Sequence, residues 1–163
     1  MVTPLQPKEF FRGRWSGEGE LVPHPLLRLL IRRQRIQLFS EANWLSDTIW
    51  LVKERMEFSS GWVYQRKMFA ELIAPDRVHV TADDMPLGAD MLLHDKSFHF
   101  TPYHAWGLFH GRLYRMHFTD DCVLDEHGKI HDTIRMRYRG FPVATMFIGP
   151  INRNDDSQID HVA

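Results

Sequence analysis

The chain has 163 residues, with 20 basic and 21 acidic side chains and an apolar share of 44% that includes 11 Phe, 5 Trp and 4 Tyr. A chain of that length suits one domain, which buries roughly 70% of its unfolded surface, and the apolar content excludes a wholly disordered protein. Balanced charge provides no global field for capturing DNA or RNA, so nucleic acid is not an expected partner. Cys122 is the only cysteine, which excludes an internal disulfide, a zinc ribbon or a redox pair built from cysteine.

The opening MVTPLQPKEFF lacks a basic stretch followed by an apolar one. No run reaches the roughly 18 to 20 apolar residues that cross a bilayer as a helix, so no transmembrane segment is expected. The expected location is cytoplasmic, becoming periplasmic or lipoprotein-anchored if a signal segment has been removed.

Residues 5 to 11 read as a short helix ending before Gly13, and Gly13 to Leu21 alternates like a strand. Between Pro23 and Arg33, Leu26, Leu27, Leu29, Leu30 and Ile31 crowd together ahead of Arg32, Arg33 and Arg35. This predicts a short amphipathic helix over 24–33 with a basic end. Packing or closing a barrel mouth is the preferred role, since about three turns with few charges give weak binding at a membrane surface.

From Ile36 the pattern is of strands near 36–44, 47–58, 62–73, 77–83, 87–93, 97–104, 111–124, 130–139 and 142–151. Turn signals at Ser59-Ser60-Gly61, Ala74-Pro75-Asp76, His94-Asp95-Lys96 and Asp125-Glu126-His127-Gly128 separate them. Strands joined by tight turns make an up-and-down meander, and closing it removes exposed edges. The expected fold is an all-β antiparallel barrel of eight to ten strands over residues 1–153, followed by a polar tail at 154–163.

The hairpin register brings charges together. Trp50, Val52, Met56 and Phe58 share one strand face, as do Trp62, Tyr64, Met68, Ala70 and Leu72, and these are the inward faces. A three-residue turn at 59–61 pairs Phe58 with Trp62 and hence Met56 with Tyr64, Glu54 with Arg66 and Val52 with Met68. The next turn pairs Ile73 with Arg77, Leu72 with Val78, Ala70 with Val80 and Met68 with Ala82. Two residues on, it brings Asp84 opposite Arg66. One arginine would then sit between two carboxylates on an apolar surface, as a network that fixes register or as an anchor for a polar ligand group.

Other groups carry less chemistry. Trp15, on a strand with Gly13, Gly17 and Gly19, suits a plug at one barrel end, with Arg153 over it as a cation-π cap. His94, His99, His104, His110, His117, His127 and His131 show no HExxH or other ligand spacing and read as solvated, so no metal is expected. Arg135, Arg137 and Arg139 alternate with Ile134, Met136 and Tyr138 and should point outward. Cys122 has no base beside it, and no GxSxG elbow exists.

Two resemblances attach to these residues. Gly13-x-Trp15 with Arg153 resembles the calycin signature of lipocalins and fatty-acid-binding proteins, which implies a lipocalin-like barrel. Phe10-Phe11-x-Gly13, Glu54-x-Met56-x-Phe58 before Gly61, Arg66, Thr81-Ala82-Asp83-Asp84 with Gly88, and Gly111-Arg112-x-Tyr114 before Asp120-Asp121 are similar to a bacterial lipocalin-like family of unknown function. That resemblance covers residues 10–153, and the family's Glu, Arg and Asp positions fall on Glu54, Arg66 and Asp84. Gly13-x-Trp15-x-Gly17-x-Gly19 also resembles nitrobindin-like haem barrels, whose axial histidine comes late in the chain, yet 142–151 contains no His. No cofactor is therefore expected.

The leading functional expectation is a non-enzymatic barrel that binds a small amphipathic or lipid-like molecule. Trp50, Met56, Trp62, Tyr64 and Met68 would form its walls, and Glu54, Arg66 and Asp84 its polar anchor. The alternatives are a lipocalin-fold isomerase or hydratase acting through Glu54, Asp84 or Tyr138, and an interaction module or homodimer using 24–33 and the arginine stripe.

Overall fold

The computed structural model describes residues 6–109 and 112–154. A short helix, α1 (Pro7–Phe10), leads into β1 (Gly13–Pro23). After a single 3-10 turn at Pro25–Leu27 the chain continues through β2 (Gln34–Trp44), β3 (Ile49–Phe58), β4 (Val63–Ala74), β5 (Arg77–Ala82) and β6 (Met85–Leu93). It ends with β7 (Ser97–Phe109), β8 (Arg112–Leu124), β9 (Ile130–Tyr138) and β10 (Phe141–Asn154). Each strand pairs antiparallel with its neighbour in sequence, and β1 pairs with β10 to close the barrel. Closure leaves no strand edge open, which a long meander needs to stay soluble.

Alternation along the strands fills the interior. Ile36, Leu38 and Ala42 of β2, Trp50, Met56 and Phe58 of β3, and Met68 and Ala70 of β4 are all buried. The first hairpin has the expected register, with Glu54 opposite Arg66, Met56 opposite Tyr64 and Val52 opposite Met68. Its turn is held by the Phe58 amide on the Trp62 carbonyl at 2.8 Å, and Gly61 takes the positive φ of 86° that this turn requires.

Three local expectations need correction. Arg77 pairs with Ala74 rather than Ile73, because a bulge between Leu72 and Ala74 shortens the turn to two residues; the inward pairs Leu72–Val78, Ala70–Val80 and Met68–Ala82 stand. Asp83 and Asp84 form the turn between β5 and β6 instead of extending β5. Residues 24–33 form no amphipathic helix. Only the Pro25–Leu27 turn and the Leu27 carbonyl bonds from Leu30 and Ile31 are helical in kind. Of the tail placed at 154–163, Asn154 belongs to β10 and the rest lies outside the described residues, as does His110.

The two ends of the barrel differ. At one end α1 and β1 supply an aromatic plug: Phe10 lies 5.4 Å from Trp15, Phe11 stacks on Trp50 at 5.6 Å, and Trp50 stacks on Trp44 at 4.5 Å. The Trp44 indole N–H donates to the Phe11 carbonyl at 2.8 Å, and the Arg153 guanidinium sits 5.8 Å from the Trp15 ring centre. The turns after β1, β3, β5 and β9 surround the other end, which is open.

β1 reaches β10 only because Gly19 has no side chain: a Cβ there would lie 2.2 Å from the Phe147 carbonyl oxygen and 2.7 Å from the Ile148 Cα. Both obstacles are backbone and cannot swing away. Gly19→Ala should lower unfolding stability by about 2 to 3 kcal/mol in a urea titration, whereas Gly61→Asn, in open space with the same positive φ class that Asn tolerates, should cost under about 1 kcal/mol. Equal losses at the two sites would show that strand closure is not limited by this contact.

Candidate functional site

Halfway along the barrel the apolar interior is interrupted by a polar layer. β3 supplies Glu54 and β4 supplies Arg66 directly opposite, with the Arg66 Nε–H donating to Glu54 Oε1 at 2.9 Å and the two side chains 13% and 12% exposed. Burial works most strongly against the Arg66 charge, but Glu54 together with Tyr103, Tyr64 and Asp84 outweighs it and holds the guanidinium protonated above its ordinary range. Tyr64, two residues before Arg66 on the same inward face, donates its hydroxyl to Asp84 Oδ2. Tyr103 reaches the layer from β7, and its hydroxyl, pushed up by burial, stays neutral beside Arg66.

The arrangement differs from an arginine clasped by two acids. Among the described residues no ion pair joins Asp84 to Arg66. Asp84 sits in the β5–β6 turn, one step toward the mouth, and Tyr64 engages it while its second oxygen, Oδ1, is buried without a partner. The β5–β6 ladder shifts between Val80 and Ala82, and the Asp84 carbonyl accepts from the Trp106 amide at 3.0 Å, so the turn is pinned to β7. An unsatisfied buried acceptor is worth about 1 to 3 kcal/mol of lost stability until something donates to it.

A second group of acids completes the layer from the far wall. Asp120 and Cys122 of β8 and Asp132 of β9 point inward, and each offers a donor atom within 4.8 Å of the others. Asp120 is 4% exposed, and the Cys122 thiol donates to its Oδ1 at 3.7 Å. Burial pushes the Asp120 carboxyl up to about 6, although a hydrogen bond from Asp132 pulls it back. Burial and the neighbouring Asp120 push Asp132 higher still. Both shifts favour a proton held between the two carboxyls over two buried charges. Cys122, raised by burial and by both acids, is held as a thiol.

Arg66 divides the interior into two spaces. Above it lies a cavity of about 650 Å³ that opens at the mouth, with Tyr64, Arg66, Asp84 and Tyr103 on its floor and Met56, Phe58, Trp62, Phe118 and Met136 among its walls. Below it a space of about 140 Å³ is lined by Phe10, Phe11 and Trp15 at the plugged end and by Trp50, Met68, Glu54, Asp120, Cys122 and Asp132. The nine residues singled out in the sequence therefore separate. Met56 and Arg66 touch both spaces, Trp62, Tyr64 and Asp84 the upper one, and Trp50, Met68 and Glu54 the lower one. Tyr138 lines neither: it packs edge-on against Tyr114 at 5.5 Å with Arg139 over its ring.

Tyr103, Asp120, Cys122 and Asp132 escaped the sequence reading. The signal for three of them was alternation, since Met116, Phe118, Asp120 and Cys122 share one parity on β8, and Ile130, Asp132, Ile134 and Met136 share one on β9. The histidines stand apart from both cavities among the described residues. His94 stacks on His99, His104 meets His117 edge-on at 5.3 Å, and burial together with His104 and Arg137 lowers His117.

No family model matches the sequence, and no curated protein does. Among solved structures the chain is similar to a protein of unknown function from the DUF3598 family of Nostoc punctiforme, at 15% identity and a TM-score of 0.62, covering 94% of this chain and 51% of that one. It is similar to the S-type phycobiliprotein lyase CPES from Guillardia theta, at 9% identity and a TM-score of 0.62, covering 93% and 94%. A protein from M. tuberculosis is similar at 10% identity and a TM-score of 0.54, covering 95% and 100%. The barrel is lipocalin-like. At these identities the likeness shows the fold alone, and the chain spans about half the length of the DUF3598 protein.

The shared proton has a measurable consequence. A carboxyl raised from 3.8 to about 6 on folding binds a proton that the unfolded chain has released. Its contribution is complete below pH 4 and is lost as pH rises through 6 and beyond. This group should lower stability by about 1.4 kcal/mol between pH 5 and pH 8. Asp120→Asn, which removes the titrating carboxyl, should flatten that fall; parallel pH profiles for the two proteins in thermal melts would contradict the raised carboxyl.

Proposed function

We propose that this barrel binds a small amphipathic molecule without transforming it, the apolar part in the upper cavity and the polar end on the floor formed by Tyr64, Arg66, Asp84 and Tyr103. The observation that carries this reading is the hollow itself: about 650 Å³ of space, apolar in its walls and polar at one end, open at the mouth. Sites for small molecules have volumes of about 300 to 1,000 Å³ with few, placed polar groups.

The floor also restricts the head group. Four carboxyl groups, Glu54, Asp84, Asp120 and Asp132, share one guanidinium, and that guanidinium is already paired with Glu54. A carboxylate arriving at this layer would find no unpaired cation. A hydroxyl, amide or amine could instead donate to Asp84, whose Oδ1 lacks a partner and whose carboxylate can turn to share its oxygens between Tyr64 and the newcomer. The head group is therefore a hydrogen-bond donor, and a fatty acid is a poor fit.

Chemistry on a substrate is less well supported. The one carboxyl pair that shares a proton near neutral pH, Asp120 with Asp132, borders the lower space of about 140 Å³, which has room for only a few water molecules. No histidine lines either cavity among the described residues to act as a base or a haem ligand. The likeness to a phycobiliprotein lyase, at 9% identity, supports the hollow fold and carries no lyase activity with it.

Titrating the protein with decanol, decylamine and decanoic acid while following the fluorescence of Trp62 tests this directly. The alcohol and amine should bind, and decanoic acid at least tenfold more weakly. Asp84→Asn should weaken the amine about tenfold, the loss of one charge-assisted hydrogen bond of about 1.5 kcal/mol. Failure of all three to bind would remove the reading, and equal affinity for acid and amine would remove its head-group assignment.

A further inference from the structure

The connection between β1 and β2 lies across the open end, and its composition is unlike that of a surface loop. From Pro25 to Arg33 it holds five large aliphatic residues, three arginines and no acid. It is ordered: the Leu27 amide bonds the His24 carbonyl and the Ile31 amide bonds the Leu27 carbonyl, both at 2.8 Å. Leu27 and Ile31 pack on the core. The others turn away from it, so that Leu26 is 75% exposed, Leu30 64% and Leu29 99%.

A lid would have pointed Leu26 and Leu29 into the mouth, which of the three only Leu30 lines. Single exposed apolar residues are ordinary on a protein surface. Here three leucines stand within five positions, and Trp62, Trp106 and Phe141 are exposed at the same end of the barrel. Phe141 joins the group through His24, whose ring lies 5.3 Å from it, and both tryptophans line the mouth with Leu30 and Ile31.

Charge is distributed to match. Arg28, Arg32 and Arg35 are exposed with no acidic partner among the described residues, while Arg33 is paired with Glu20. The turns at the opposite end carry Asp47, Asp76, Asp95, Asp125 and Glu126 with Lys96 and Lys129, and Asp47 is paired with Lys8; the mouth-end turn after β5 carries Asp83 and Asp84. In a chain of net charge −1, the loop where the leucines protrude is a local concentration of unpaired basic charge.

We propose that the barrel mouth docks on an anionic lipid bilayer, with Leu26 and Leu29 entering the acyl boundary, Trp62 and Trp106 at the headgroup level, and Arg28, Arg32 and Arg35 against lipid phosphates. Apolar knobs with flanking tryptophan and arginine suit this interface. A second copy of the chain fits worse: a two-fold contact through this loop would press its arginines against their own copies. The orientation also turns the cavity mouth toward the bilayer, although the docking does not depend on what the cavity holds.

The test is flotation of the full chain with phosphatidylcholine vesicles and with vesicles of phosphatidylcholine and phosphatidylglycerol. Binding should be at least tenfold stronger to the anionic vesicles and should weaken in 1 M NaCl, where the screening length shrinks to about 3 Å. Leu26→Ser with Leu29→Ser, at positions whose exposure leaves the melting temperature unchanged, should reduce binding at least tenfold. Arg28→Ser with Arg32→Ser should remove the preference for anionic lipid. The proposal is overturned if neither vesicle binds the wild type, if the leucine variant binds as well as wild type, or if those leucines instead hold a concentration-dependent dimer that floats with neither vesicle.

Discussion

One buried ion pair organises this barrel. Glu54 and Arg66 face each other across the first long hairpin, inside a shell of apolar side chains. Strand pairing has a period of two, so a one-residue slip of β4 against β3 would carry Arg66 outward and leave Glu54 buried and unpaired. An uncompensated buried charge costs about 3 to 5 kcal/mol, comparable to a large part of a domain's net stability. The pair therefore specifies the register of β3 and β4 more than it adds to stability, since a hydrophobic replacement of both partners is often neutral or better.

The rest of the interior follows from where that pair stands. Because Arg66 lies at mid-height, the core divides into a small lower space and a larger upper one. The lower half is closed by aromatic stacking of Phe10, Phe11, Trp15, Trp44 and Trp50, and its remaining carboxyls share a proton because burial makes two charges too expensive. In the upper half the layer is a floor. Tyr64 and Tyr103 are both neutral through burial, and Tyr64 joins the layer to the mouth-side turn that carries Asp84.

Much of this was legible in the residue order, for reasons of period and turn chemistry. Alternation along 47–58 and 62–73, with Gly61 in the left-handed position, sufficed to place Glu54 opposite Arg66, because no bulge intervenes in that hairpin. The extrapolation to Asp84 failed on a local event: β5 ends at Ala82 and Asp83-Asp84 turn, which regular pairing cannot foresee. Asp120 and Asp132 were hidden for a related reason. The bulge between Phe100 and Tyr103 breaks the parity of β7, and in Asp120-Asp121 the inward acid adjoins one that faces solvent and pairs with Arg135. In 24–33 leucine content imitated an amphipathic helix, whereas the helical geometry ends after one 3-10 turn and leaves Leu26, Leu29 and Leu30 exposed.

The central claim is that Glu54 and Arg66 act as one buried unit, and a double-mutant cycle measured by urea unfolding addresses it most directly. Glu54→Gln and Arg66→Met should each cost about 3 kcal/mol or more, each leaving a buried charge without its partner. The double variant should cost less than the sum by at least 2 kcal/mol, a coupling energy in the range found for residues in one buried network. Additive losses, within about 0.5 kcal/mol, would mean that the two side chains do not share an interaction and that the layer at mid-barrel rests on something else.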